Sequence, residues 1–432
     1  MTTGRTESGL QYAVKKSGSS VGYCALGIKC GTRDEAPSWS SGIAHFTEHT
    51  IFKGTERKSA RTINSYLDAL GGELNAYTTK EEIVLHATVL REDLSKAASL
   101  LFELAVSPTF PEDEIAVERG VVIDEIHSYK DVPSEDIYDR FEEMLFEGSP
   151  LSRPILGTAA SVRKISRDEL LQFVREKFIP SRMVFTVVSP EDERKVERMI
   201  KSLSSKFFPA EGQRCATTVL TAETQGETHG EAQGEAQDGP QDIPEFQARQ
   251  FDISVNKRNH QANCIIGGTA PSLYRKEERI ATILLCNILG GPATNSILNS
   301  VLREKNGWVY AAECTYTQYA DSGIAAIYIG CDKSNLEKCL KATDRELAKL
   351  RDTLMSERRL KAAKKQLLGQ LAVGSDNGET QCLSMCKGLL SYGRVASDQE
   401  SKELVLAVTA EQLRDAARDI FAPEKVCRLI WI

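Results

Sequence analysis

The chain is poor in histidine, with six in 432 residues, and poor in the features that mark export or membrane insertion. It has no unbroken apolar run of about 18 residues, the length a spanning helix needs. Met1 to Gly18 contains no apolar stretch of the kind a secretory signal carries. The expected setting is therefore the cytoplasm, with no membrane association. Positive charge is not in excess: 54 Lys and Arg face 61 Asp and Glu, a formal net charge of −7. Without a basic stripe interleaved with aromatics, a nucleic-acid partner is not expected. The eleven cysteines are odd in number and scattered from Cys24 to Cys427. That usage fits reduced thiols better than a disulfide framework. Cys382 and Cys386, four apart, share a helix face but have no companion pair, so they read as small buried hydrophobes.

What remains is an ordinary globular composition, 41% hydrophobic and 27% charged. Single cores rarely grow beyond about 250–300 residues, so a chain of this length is expected to form two or more domains.

Two of the scarce histidines fall four apart around a glutamate, in His45-Phe46-Thr47-Glu48-His49. On a helix, positions i, i+3 and i+4 share one side. Both imidazoles can then face one metal ion, with the Glu48 carboxylate beside whatever else that ion binds. Two neutral imidazole nitrogens suit zinc, and a nearby carboxylate can take a proton from water. The order H-x-x-E-H inverts the zinc motif H-E-x-x-H.

A tetrahedral catalytic zinc needs a third protein ligand. The best candidate is Glu125, on a segment from Pro111 to Ile126 that reads as a helix. Pro111 suits its start, three acids follow where the macrodipole favours negative charge, and apolar residues recur at Ile115, Val122 and Ile126. Glu118, seven before Glu125, lies on the same face and is placed to orient a ligand or the water. Alone, these acids would read as a solvated helix surface; the histidine motif reverses that weighting.

The run Gly42-Ile43-Ala44-His45-Phe46-Thr47-Glu48-His49-Thr50-Ile51-Phe52-Lys53-Gly54-Thr55 resembles the signature of the insulinase/pitrilysin metallopeptidases, the inverzincins. Their third ligand follows the second histidine by about 76 residues in a run like E-R-x-V-V-x-x-E-I. Here Glu118-Arg119-Gly120-Val121-Val122-Ile123-Asp124-Glu125-Ile126 places Glu125 76 residues beyond His49. The resemblance implies one zinc per chain at His45, His49 and Glu125, with Glu48 as general base and Glu118 in support. Gly71-Gly72-Glu73-Leu74-Asn75-Ala76-Tyr77-Thr78 is similar to the family's substrate-binding edge strand. That implies peptide backbone held by strand addition at Asn75, Ala76 and Tyr77. Leu302-Arg303-Glu304-Lys305-Asn306-Gly307-Trp308-Val309-Tyr310 resembles the segment whose Arg and Tyr meet substrate near the scissile bond. Arg303 and Tyr310 are the matching residues, Tyr310 as an oxyanion donor. Read locally, Arg303 is a helix-end charge and Tyr310 a packed strand residue.

The chain reads as bipartite. Strands in Leu10–Cys30 lead to the motif helix near Gly42–Phe52 and a helix at Thr62–Leu70. Strands to Leu90 follow, then a helix at Glu92–Val106, the Glu125 helix, a helical region to Lys177 and a closing strand at Met183–Ser189. Ala222 to Pro240 is a Gln/Gly/Glu tract with almost no apolar content, expected as part of a flexible linker over 216–248, with His229 a solvent residue. The second half repeats the plan with a strand in Phe251–Gly267, helices at Lys276–Leu289 and Asn295–Arg303, strands from Val309 to Gly330, and helices at Leu336–Arg351 and Glu357–Leu371. At the place of the motif helix it has only Ala281-Thr282-Ile283-Leu284-Leu285-Cys286. The expectation is an α+β fold of two tandem homologous domains, each an antiparallel sheet covered by helices on one face. Residues 1–215 form the zinc-binding domain, and 249–432 the degenerate repeat carrying Arg303 and Tyr310. The resemblance further implies a homodimer that cleaves peptides or unfolded segments inside a clamshell chamber, its sites completed in trans. The competing reading is a non-catalytic or partner-dependent subunit of a heterodimeric processing peptidase.

Overall fold

The computed structural model describes residues 1–209, 246, 248–257 and 259–432. In the first half the strands are β1 (Thr2–Arg5), β2 (Gln11–Lys16), β3 (Val21–Ile28), β4 (Glu73–Thr78), β5 (Ile83–Leu90) and β6 (Met183–Ser189). The helices are α1 (Ile43–Thr50), α2 (Ala60–Asp68), α3 (Leu94–Val106), α4 (Glu112–Asp131), α5 (Pro133–Leu145), α6 (Ala159–Val162), α7 (Arg167–Lys177) and α8 (Glu193–Phe207). The second half supplies β7 (Asp252–Val255), β8 (Ala262–Ala270), β9 (Val309–Gln318), β10 (Gly323–Cys331) and β11 (Cys427–Trp431). Its helices are α9 (Lys276–Gly290), α10 (Leu336–Asp352), α11 (Glu357–Ser375), α12 (Gly378–Tyr392), α13 (Asp398–Ala407) and α14 (Ala410–Phe421). The helix expected at Asn295–Arg303 spans 297–304, and its part Asn299–Glu304 is π-helix. The linker expected at 216–248, with His229, lies outside the described residues except for Phe246 and Ala248.

Among the described residues two sheets form, ordered β1-β2-β6-β3-β5-β4 and β7-β11-β8-β10-β9. Apart from the extra β1 the orders correspond strand for strand, as expected of a repeat. Most strand pairs are antiparallel, as expected, with one parallel pair in each sheet. In each half the closing strand inserts between two earlier ones, and so runs parallel to one of them, β6 to β2 and β11 to β7. A parallel neighbour requires a long crossover, which the intervening helices provide.

Each half's own helices cover one face of its sheet, as expected, and a helix from the other half covers the second face. On one side of the first sheet, Leu26, Leu85 and Phe185 pack with Leu101 and Phe102 of α3 and Ile200 of α8. The other side, Ala13, Ala25, Val84, Val184 and Val188, is covered by Cys382, Met385, Cys386 and Leu389 of α12, a helix from the second half. In return, Ile137, Phe141 and Leu145 of α5 cover Ile265, Ala326, Tyr328, Leu429 and Trp431 of the second sheet. Each half lends a helix to the other. The central strands β6 and β10 are buried at every position, so neither sheet can leave a face in water. The expected burial of Cys382 and Cys386 is what the structure shows. Among the described residues no helix is long and apolar enough to cross a membrane.

Candidate metal centre

Helix α1 begins at Gly42, whose φ of +87° favours glycine. Ile43, Ala44 and Phe46 anchor it in the first core, while Thr47 and Thr50 return their hydroxyls to the carbonyls of Ile43 and Phe46. With that face buried, His45, Glu48 and His49 turn toward β4 and α4. Helix α4 buries Ile115, Glu118, Val122 and Ile126. Glu118 thus occupies a position that the apolar stripe would assign to a hydrophobe.

His45 Nε2 lies 3.8 Å and His49 Nε2 3.4 Å from Glu125 Oε2. The three ligand atoms fall within 4.8 Å of one another, and among the described residues no other such group forms. Two donors, each roughly 2.0–2.1 Å from a tetrahedral zinc, stand roughly 3.3–3.5 Å apart. The spacing therefore fits a shared ion after small side-chain adjustments. Glu125 Oε2 is buried with no hydrogen-bond partner among the described residues. A carboxylate oxygen buried in that way is costly unless a cation or donor meets it, so the donor set fits a zinc ion.

Burial, with His49 alongside, depresses the His45 pKa to about 3, so this imidazole stays neutral as a ligand must. His49 Nδ1 is 2.9 Å from Glu118 Oε1, leaving Nε2 free to face Glu125. Burial alone would raise the Glu118 pKa, but His49 and Lys53 outweigh it and hold the group below its ordinary value. Lys53 Nζ sits 2.6 Å from Glu118 Oε2. Sequence reading gave Lys53 no role, although its place four after His49 puts it on the same side of the chain's turn.

Glu48 lies beside the His45–His49–Glu125 group. Thr78 Oγ1 donates to its Oε2 at 3.4 Å, and burial raises its pKa above the ordinary value. Together with His49, Phe52, Asn64, Asp68 and Leu74 it lines a cleft of ≈ 320 Å³. A larger cavity, ≈ 620 Å³, is walled by Phe251, Arg351, Phe421 and Arg428 of the second half and gathers no comparable ligand set.

Strand β4 is an edge strand paired only with β5. Leu74 and Ala76 belong to the core on the α1 side, whereas Tyr77 packs on the α12 side, and alternation places Asn75 there too, opposite His86. The metal side of β4 thus presents Leu74, Ala76 and Thr78, and the Asn75 and Tyr77 side chains point away. Arg303 is exposed on the π-turn, and Tyr310, 57% exposed on the outer strand β9, donates to Asp332 Oδ1 at 3.0 Å. Among the described residues no hydrogen bond or ion pair joins Arg303 or Tyr310 to the histidine group of the same chain. His86 Nδ1 lies 3.1 Å from Glu379 Oε1 on α12.

Comparison with known proteins finds relatives of this chain along its length. Residues 12–159 match the sequence model described as insulinase (peptidase family M16), and residues 164–367 match the peptidase M16 inactive domain. An uncharacterised zinc protease of Bacillus subtilis, YmxG, is 29% identical over 420 residues, 96% of this chain and 95% of its own. An uncharacterised zinc protease of Streptomyces coelicolor is 28% identical over 401 residues, 90% of this chain and 80% of its own. A protease from Helicobacter pylori has the same fold, with TM-score 0.84 at 19% identity over 100% of this chain and 99% of that one. A peptidase M16 inactive domain from Pseudomonas fluorescens aligns with TM-score 0.80 at 18% identity, over 100% and 97%.

Proposed function

Because the chain belongs to the insulinase family, peptidase family M16, we propose that it is a zinc-dependent endopeptidase acting on peptides or unfolded segments. The observation that carries this reading is the convergence of His45 Nε2, His49 Nε2 and Glu125 Oε2, with the Glu48 carboxylate beside them. Zinc held by that set supplies polarisation of the scissile carbonyl and activation of a water. The chain's own residues do the rest. Glu48 takes the proton of the attacking water and passes it to the leaving amide nitrogen. The open edge of β4 at Asn75–Tyr77 aligns substrate backbone as an added strand. Glu118 and Lys53 hold His49 in its tautomer.

Among the described residues neither Arg303 nor Tyr310 bonds to this group in its own chain, which fits a role on substrate held by a second copy. The proposed working form is a homodimer around a chamber, each site completed in trans, and two-fold dimers are the commonest assembly. Pairing with a different chain is the second reading, favoured by the same observation. Ten described cysteines, all buried and free, fit a reducing compartment such as the cytoplasm. The reading is tested by digesting a peptide library with and without chelator, read by mass spectrometry, alongside Glu48→Gln. Metal-dependent cleavage that falls roughly 10²–10⁴-fold in the variant is expected. Cleavage indifferent to chelator, or unchanged in Glu48→Gln, refutes it.

A further inference from the structure

The segment that leads into α1 is held by charged groups from both halves. Glu35 is buried, 4% exposed. Its Oε1 accepts the N–H of Gly42 at 3.1 Å and of Ala44 at 3.2 Å, and its Oε2 lies 3.2 Å from the Gly42 nitrogen. A helix leaves its first N–H groups without internal partners, and Gly42 has no side chain to cap them. A carboxylate from outside the helix meets them instead and adds negative charge at the positive end. The residue after Ala44 is His45.

Glu35 is itself fixed in place. Its carbonyl accepts from Arg153. Two residues earlier, Arg33 makes a two-pronged pair with Asp321, at 3.0 and 2.6 Å, and also meets Glu81. Asp321 lies in the β9–β10 turn of the second half, where the Ala320 N–H donates to Glu81 Oε1 at 3.0 Å. The Arg33 N–H donates to the Lys80 carbonyl at 3.0 Å, and Lys80 reaches Glu142 of α5 at 3.2 Å. Paired guanidinium–carboxylate contacts of this kind fix direction as well as distance.

We infer that Glu35 is the positioning residue of the metal-ligand helix, kept in register by the Asp321–Arg33 pair. The second half thereby sets the zinc affinity of His45 and His49 without touching them. The inference rests on the zinc reading above, and the experiment separates the two. Full-length wild type, Glu35→Gln, Asp321→Asn, Arg33→Gln and the Arg33→Gln/Asp321→Asn double variant are titrated with zinc against a chromophoric chelator. Zinc-free melting temperatures are measured beside them. Leu413→Ala, in the second core and outside this network, serves as a destabilised comparator. Glu35→Gln, which keeps an acceptor but removes the charge at the helix start, is expected to weaken zinc binding about 2–5-fold. Asp321→Asn should weaken it by a smaller factor, and the double variant should be no worse than Arg33→Gln alone. Leu413→Ala should melt earlier yet bind zinc as wild type does. Wild-type affinity in both Glu35→Gln and Asp321→Asn overturns the inference, as does an equal loss in Leu413→Ala. Absence of zinc binding by the wild-type chain overturns the metallopeptidase reading and this inference with it.

Discussion

Glu118 Oε1 stands 2.9 Å from His49 Nδ1, and its other oxygen holds the Lys53 ammonium at 2.6 Å. One buried carboxylate thus joins a candidate ligand to a compensating cation. The arrangement fixes the proton of His49 on Nδ1 and aims the Nε2 lone pair at Glu125. Glu118→Gln is expected to lower zinc affinity about 10–100-fold, with Lys53→Gln intermediate because Glu118 keeps one partner. Equilibrium dialysis with metal analysis measures both. Undiminished affinity in Glu118→Gln would show that the contact does not orient the ligand.

His45 predicts an acid sensitivity of the metal-free chain. Its pKa falls from 6.5 to about 3 on folding. Between those values the unfolded chain binds a proton that the folded chain refuses, so stability drops as pH falls through that window. The contribution is about 1.4 kcal/mol per pH unit at most. His49 works the other way, its pKa raised by Glu118, Glu48 and Glu125 against the lowering effect of burial. The comparison must therefore be with His45→Gln. Urea midpoints in chelator at pH 7.5 and pH 5.5 should show a smaller acid loss in that variant. Equal losses would mean that His45 is not held neutral.

The exchange of α5 and α12 predicts joint unfolding of the halves. Phe141→Ala removes a fully buried ring from the contact of α5 with the second sheet, at an expected cost of about 3–5 kcal/mol. Trp39 belongs to the first half, and Trp308 and Trp431 to the second. Tryptophan fluorescence and far-ultraviolet dichroism should report coincident denaturant transitions. Two separated transitions would show that the lent helices do not couple the halves.

Completion in trans predicts complementation. Glu48→Gln and Tyr310→Phe chains, each weak alone, should recover activity when mixed and allowed to exchange, because one site per mixed dimer is intact. Activity of the mixture that never exceeds the mean of the two variants would argue that the sites are not shared.

Much of the site was legible because its residues recur at helical intervals. His45, Glu48 and His49 needed only one turn of α1, and Glu118 and Glu125 only the seven-residue spacing of α4. Glu118 carried a second signal, a carboxylate in the gap of the stripe formed by Ile115, Val122 and Ile126. Lys53 was within reach of the same reasoning. Glu35 was not, since its capping contact depends on a turn that returns the chain to the start of α1.

Local pattern determined the two strand-and-helix halves, the motif helix and the ligand types, because periodicity is a property of neighbouring residues. Only the folded chain decided that α5 and α12 change places, that Asn75 and Tyr77 face away from the metal side, and that Asp321 reaches Arg33. Those outcomes depend on which buried faces remain uncovered after each sheet forms. Such demands are met by segments distant in sequence, and no spacing within a window can report them.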